Sequence, residues 1–117
     1  MAKPNRMYRI ADLIQIELAK LIQNELKDPR VGMVTLTGVE VSSDLAHAKI
    51  YFNVHDETHH KHDALNGLNH AAGFLRRRLA SLIDLRNTPA LHFHYDDTLT
   101  KARQIDKLLD DINTLDS

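Results

Sequence analysis

The 117 residues include no cysteine and no tryptophan, and only three prolines and four glycines. Without thiols the chain can form neither disulfides nor thiolate zinc sites, so its stability must come from packing, which suits a reducing compartment. Long apolar runs are missing too. The stretch after the basic opening Met1 to Arg9 is interrupted by Asp12, Glu17 and Lys20, which neither a signal-peptide core nor a membrane span would tolerate. The expectation is a cytoplasmic protein with no membrane segment. Catalytic signatures are equally scarce: there is no G-x-S-x-G and no phosphate-binding glycine loop, and Ser42, Ser43 and Ser81 lie in turn or helix patterns with nothing to mark a base and an orienting acid. Asp96-Asp97 reads more simply as a helix cap than as a cation site. No enzyme and no cofactor are expected.

What is present is enough for one folded unit. Hydrophobic residues make up 43% and charged residues 26%, the balance of a packed globule, and a chain of this length closes one core over residues 1–117. Neither sign of charge dominates, at −1 net. The distribution says more: residues 1–30 carry +2, 31–60 −3, 61–90 +3 and 91–117 −3. A fold that joins the two basic segments would present a positive face on a nearly neutral molecule, compatible with RNA.

From about Arg6 to Lys27, Ile10, Leu13, Ile14, Leu18, Leu21, Ile22 and Leu26 recur at three- and four-residue spacing and predict a helix, ended by Asp28-Pro29-Arg30-Val31-Gly32. Val34 and Leu36 fall on even positions but Val39 and Val41 on odd ones, so a strand here needs a bulge at Thr37-Gly38. After a turn at Ser42-Ser43-Asp44, the alternation of Ala48, Ile50, Phe52 and Val54 with polar neighbours completes an antiparallel hairpin. A polar loop follows over His55 to His62. From about Asp63 to Leu85 the pattern is helical again but broken at Gly73, giving two short helices or one bent one, with Leu75, Leu79, Leu82 and Ile83 on the buried side. Leu91, Phe93 and Tyr95 alternate as a third strand, and Asp97 or Thr98 caps a last helix whose Ala102, Ile105, Leu109 and Ile112 share one face.

Three features could bear function. Ala71-Ala72-Gly73 interrupts a helical pattern at a cost of about 1 kcal/mol relative to alanine, which implies a bend, a special backbone angle, a close approach or an opening for phosphate at a helix start. Arg76, Arg77 and Arg78 follow at once; at about 100° per residue they cannot share one side, and Arg77 points furthest from the apolar face. On the first helix, Arg9, Lys20 and Lys27 project within about 20° of one another, opposite the buried stripe. Solvated charge explains either group; arginine also matches phosphate through its planar fork. The eight histidines invite a metal, above all His55, His59, His60 and His62. Yet His55-Asp56-Glu57-Thr58-His59 holds Asp where the zincin signature needs Glu and lies in a loop, so no metal site is expected.

Taken together the elements resemble the ribosome-binding factor A family. The segments that carry the likeness are Leu26–Met33 after the first helix, Val39–Tyr51 across the hairpin, Ala71–Arg76 at the break and Leu85–Asp96 around the last strand. The resemblance implies an α+β fold, a single KH-like domain of type II (αββααβ) with an extra C-terminal helix. In that family the usual Gly-x-x-Gly loop is replaced by a bend at Ala-x-Gly, which maps onto Ala71, Ala72 and Gly73, and sequence-specific reading of four bases is not expected. It further implies a monomer that binds the free 30S subunit and 16S rRNA, assists late maturation including 5′-end processing, matters in the cold, and is released by an assembly GTPase. The family often continues in a charged tail, whereas this sequence stops at Ser117. The residues expected to meet rRNA phosphates are Arg9, Lys20, Lys27, Arg30, Arg76, Arg77, Arg78 and Arg86. Two other readings are a protein-interaction module with solvated arginines and a histidine-dependent metal hydrolase.

Overall fold

The computed structural model describes residues 5–31, 34–54 and 61–116. The elements run α1 (Asn5–Glu25), a 3-10 turn (Pro29–Val31), β1 (Val34–Val41), β2 (His47–Val54), α2 (Lys61–Leu82), β3 (Ala90–Tyr95) and α3 (Thr98–Asp116). The strands form one sheet in the order β1-β2-β3. β1 pairs antiparallel with β2, and β3 lies parallel to β2, which requires the long crossover that α2 supplies. The bulge falls where the parity change places it: Leu36 pairs with Phe52 and Gly38 with Tyr51, leaving Thr37 as the extra residue.

One face of the sheet is buried beneath α1 and α2. Ile14, Leu18, Ile50, Phe52, Leu68, Leu75 and Leu79 are fully enclosed there, and Val31, Leu91 and Phe93 close the margins. The helix period and the strand alternation therefore meet in one apolar layer. Beyond it the hairpin turn is held by polar side chains, with Ser42 Oγ donating to Asp44 Oδ1 (2.7 Å) and the Ala46 N–H to the same oxygen (3.0 Å). Leu45 takes a left-handed backbone angle there, φ 60°.

Several expectations are corrected. α1 stops at Glu25 instead of reaching Lys27, because the Leu26 N–H turns back to Leu21 O (3.2 Å) and the chain leaves the helical path ahead of Pro29. Leu13 is 42% exposed, having been assigned to the stripe by a spacing that cannot tell its flank from its centre. Leu82 is 47% exposed at the end of α2, and Ile83 alone of that pair turns inward. Of the two forms expected around Ala71-Ala72-Gly73, two short helices or one bent one, the separate pair is not what forms. α2 is a single helix of 22 residues, since one glycine weakens a helix without ending it, and the stripe from Ala64 to Leu79 packs continuously on both sides of it. Last, the apolar face of α3 is not part of the core: Ile105, Leu108, Leu109 and Ile112 are all at least half exposed. No helix is long and apolar enough to cross a membrane among the described residues.

Candidate nucleic-acid interface

The packing of α1 and α2 on the same sheet face brings the two basic segments side by side. Arg78 on α2 forms two hydrogen bonds with Glu25, Nε to Oε1 at 2.8 Å and Nη2 to Oε2 at 2.9 Å. From Glu25 the chain runs along α2 toward its start, so that the Pro29–Val31 turn rests on Gly67. A Cβ on Gly67 would lie 2.9 Å from Val31 Cγ1, 3.2 Å from Arg30 Cβ and 3.4 Å from Asp28 Oδ2. Gly67 is thus the close approach that a glycine in this helix implied. Gly73 is not: it is exposed, its φ is ordinary, and among the described residues a Cβ there would meet only Arg77 Nη1, at 3.5 Å. The signal was available in the sequence, because Gly67 falls on the same stripe as Ala64, Leu68 and Ala71, whereas Gly73 falls off it.

Local structure sorts the eight basic candidates into two groups. Three are already engaged within the chain. Arg30 is clasped by Asp28, with Nη2 to Oδ2 at 2.6 Å and Nε 3.0 Å from each carboxylate oxygen. That hydrogen-bonded guanidinium, helped by the Arg30 N–H, holds the Asp28 carboxyl down to about 2. Arg76 points both Nε (3.0 Å) and Nη2 (2.8 Å) at the Thr88 carbonyl just before β3, satisfying an acceptor that precedes the sheet. Arg78 adds Ser81 Oγ (3.1 Å) to its Glu25 clasp, and the same clasp lowers the Glu25 pKa and raises that of Arg78.

The remaining five are exposed and have little or nothing to hold them. Lys20 lies 3.8 Å from Glu17, a loose pair on one helix face that contributes little in water. Arg9, Lys27, Arg77 and Arg86 make no ion pair or hydrogen bond among the described residues. The straight basic line expected on α1 shrinks to Arg9 and Lys20, because Lys27 lies past the helix end. In sequence Lys27 falls between Glu25, which meets Arg78 of α2, and Asp28, whose Oδ2 lies beside Gly67 of α2. Exposed cations on α1 and α2 therefore lie on the helix side of the sheet, a cationic seam with Lys27 just past the end of α1, and those without an internal partner among the described residues can take phosphate without first breaking a bond.

Of the histidines singled out for metal, His55, His59 and His60 lie outside the described residues, as do Asp56, Glu57 and Thr58. His62 is exposed in the first turn of α2. Among the described residues no group of three or more His, Cys, Asp or Glu is placed to hold a metal. Not anticipated was the outward row of the sheet, where His47, Tyr51, His92 and His94 stand near one another. The alternation that buried Ile50 and Phe93 could have revealed it, since it sends every second residue of β2 and β3 to the other face.

Comparison with known proteins agrees with this architecture. The family model for Ribosome-binding factor A matches residues 6–109. A ribosome-binding factor A from Thioalkalivibrio sulfidiphilus is 56% identical over 106 residues, 91% of this chain and 82% of the relative. One from Pseudomonas paraeruginosa is 49% identical over 113 residues, 94% and 88% respectively. Among solved structures, the crystal structure of ribosome-binding factor A from Thermus thermophilus superposes with a TM-score of 0.70 at 27% identity, covering 76% of this chain and 93% of that one. A homology model of the T. thermophilus factor, fitted into a cryo-EM map of a 30S–RbfA complex, gives a TM-score of 0.65 at 28% identity, over 77% and 94%. The three helices and mixed three-stranded sheet are consistent with the KH-like fold that the resemblance implied. Matched along almost all of its described length in sequence, and over its sheet and packed helices in structure, the chain belongs to the ribosome-binding factor A family.

Proposed function

We propose that this chain binds the free 30S subunit through 16S rRNA and assists late maturation, including processing of the 5′ end of the precursor, without itself cleaving it. The observation that carries the proposal is the seam of cations unpaired among the described residues, Arg9 on α1, Lys27 just past its end and Arg77 on α2, with Arg86 beyond the end of α2, on a chain of −1 net charge. Positive charge gathered on one side gives phosphate affinity that the total does not predict. The fitted 30S complex of a relative supports the same partner. These contacts position the protein on folded RNA and do not read bases. Arg30, Arg76 and Arg78 keep a supporting part: they fix the turn, the entry to β3 and the α1–α2 angle, so that the free cations are presented together. Ala71, Ala72 and Gly73 lie within that same helix, and Gly73 leaves room beside Arg77. Release by an assembly GTPase and action as a monomer complete the proposal.

Sucrose-gradient sedimentation of a cell extract tests it. The protein should travel with free small subunits and not with translating ribosomes; a distribution confined to soluble fractions, or to polysomes, would contradict it. The exposed apolar stripe of α3 favours a second reading, a protein-interaction module without direct RNA contact. Binding to a ribosomal protein alone, insensitive to salt and abolished by removal of α3, would favour that alternative.

A further inference from the structure

The face of the sheet turned away from α1 and α2 carries more ring than a solvated sheet needs. On β2 its outward residues are His47, Lys49, Tyr51 and Asn53, and on β3 they are His92 and His94. Register places Lys49 opposite His92 and Tyr51 opposite His94. The rings gather in two pairs. His47 and His92 have centroids 5.1 Å apart, with Nδ1 of the first 2.9 Å from Nε2 of the second. Tyr51 and His94 lie 5.9 Å apart, tilted by 38°. The three histidines are exposed and Tyr51 is half-buried.

We propose that His47, Tyr51, His92 and His94, set around Lys49, form a stacking platform for consecutive unpaired nucleobases of single-stranded RNA. This rests on the reading of the protein as an RNA binder, but it assigns a second surface, on the opposite side of the sheet from the cationic seam. Flat rings in exposed positions offer the π-faces on which bases stack, and such contacts tolerate any sequence. His92 and His94 are two residues apart on one strand, roughly 7 Å, a stride that neighbouring nucleotides of an extended strand can match. Lys49 stands between the two pairs, positioned for the phosphate that links two bases. The nearby acids are Glu40 on β1, which accepts the Tyr51 hydroxyl at 2.9 Å and so fixes the ring, and Asp96 past the end of β3, which accepts from Thr37 Oγ1 at 2.6 Å. Asp44, at the turn beside His47, is likewise engaged with Ser42 and the Ala46 N–H. Duplex RNA hides the faces of its bases and cannot use such a platform.

Fluorescence anisotropy with unstructured uridine and adenosine decamers of RNA, at fixed salt, tests the proposal on the intact chain. The double variant Tyr51→Ala, His94→Ala should lose about tenfold or more in affinity with an unchanged circular dichroism spectrum. Tyr51→Phe, His94→Phe keeps the rings while removing the same hydroxyl bond, and should stay within about threefold of the parent; a duplex of equal length should not compete. Failure of the parent to bind either decamer, or equal affinity of the alanine and parent proteins, or equal weakening in both double variants, would overturn the platform. Co-sedimentation with small subunits distinguishes the two claims. If the parent pellets with subunits but ignores the decamers, the platform fails and the rRNA reading stands. If Arg77→Glu also pellets unchanged, the cationic seam fails as well.

Discussion

Arg78 clasps Glu25 with two bonds of 2.8 and 2.9 Å, joining the second half of α2 to the last residue of α1, while the adjacent Arg77 projects into solvent with no partner among the described residues. Neighbouring arginines thus have separate jobs. Arg78→Ala should lower the thermal unfolding midpoint, because it leaves Glu25 without its partner, whereas Arg77→Ala should leave the midpoint unchanged. Differential scanning fluorimetry of the two variants checks this, and equal midpoints would contradict the division.

The two glycines of α2 should respond in opposite directions to alanine. At Gly67 the new methyl meets the buried, stiff Val31 at 2.9 Å, and overpacking of that kind costs about 1–3 kcal/mol, more than the helical gain of about 1 kcal/mol can offset at the upper end. At Gly73 the only neighbour among the described residues is the exposed Arg77 guanidinium at 3.5 Å, so Gly73→Ala should stabilise by roughly 0.5–1 kcal/mol. Urea denaturation of both variants reads the two signs directly.

The Asp28–Arg30 clasp makes a prediction about acid. Folding lowers the Asp28 pKa from its ordinary 3.8 to about 2, so the folded state favours the ionised carboxylate. The stabilisation is complete above about pH 4 and disappears as the pH falls through about 2. Arg30→Gln should therefore melt below the parent at pH 6, and the gap should close as the pH approaches 2. A gap that persisted unchanged across pH 4 to 2 would place the Arg30 effect elsewhere.

Because the described side chains of α3 bury so little, the helix should contribute little to stability. Deleting residues 98–117 should change the unfolding free energy by no more than about 0.5 kcal/mol. A larger drop in chemical denaturation would mean that its apolar face is covered in solution.

The sequence disclosed most of the fold because period and alternation are direct records of burial. The displaced parity of Val34 and Leu36 against Val39 and Val41 located the bulge to Thr37-Gly38, and the alternation of Leu91 and Phe93 placed both on the buried face. What it concealed depended on partners distant in the chain. Nothing near Arg76 or Arg78 announces Thr88 or Glu25, and projection on a helical wheel assigned Lys27 a face after the helix had ended. Gly73 drew notice by interrupting a pattern, yet Gly67 is the glycine that packing requires, since its contact with Val31 is tertiary. Likewise α3 has the period of a packed helix, yet Ile105, Leu108, Leu109 and Ile112 stay exposed among the described residues.

The central claim is that the free cations of α1 and α2 hold rRNA phosphates. Affinity for purified 30S subunits, measured across a range of salt concentrations for the parent and for Arg77→Glu combined with Lys20→Glu, tests it most directly. The double variant should bind more weakly at every salt, with a log–log slope shallower by about one for each phosphate that is no longer neutralised, and should unfold at the parent midpoint. An affinity and a slope equal to those of the parent would contradict the account.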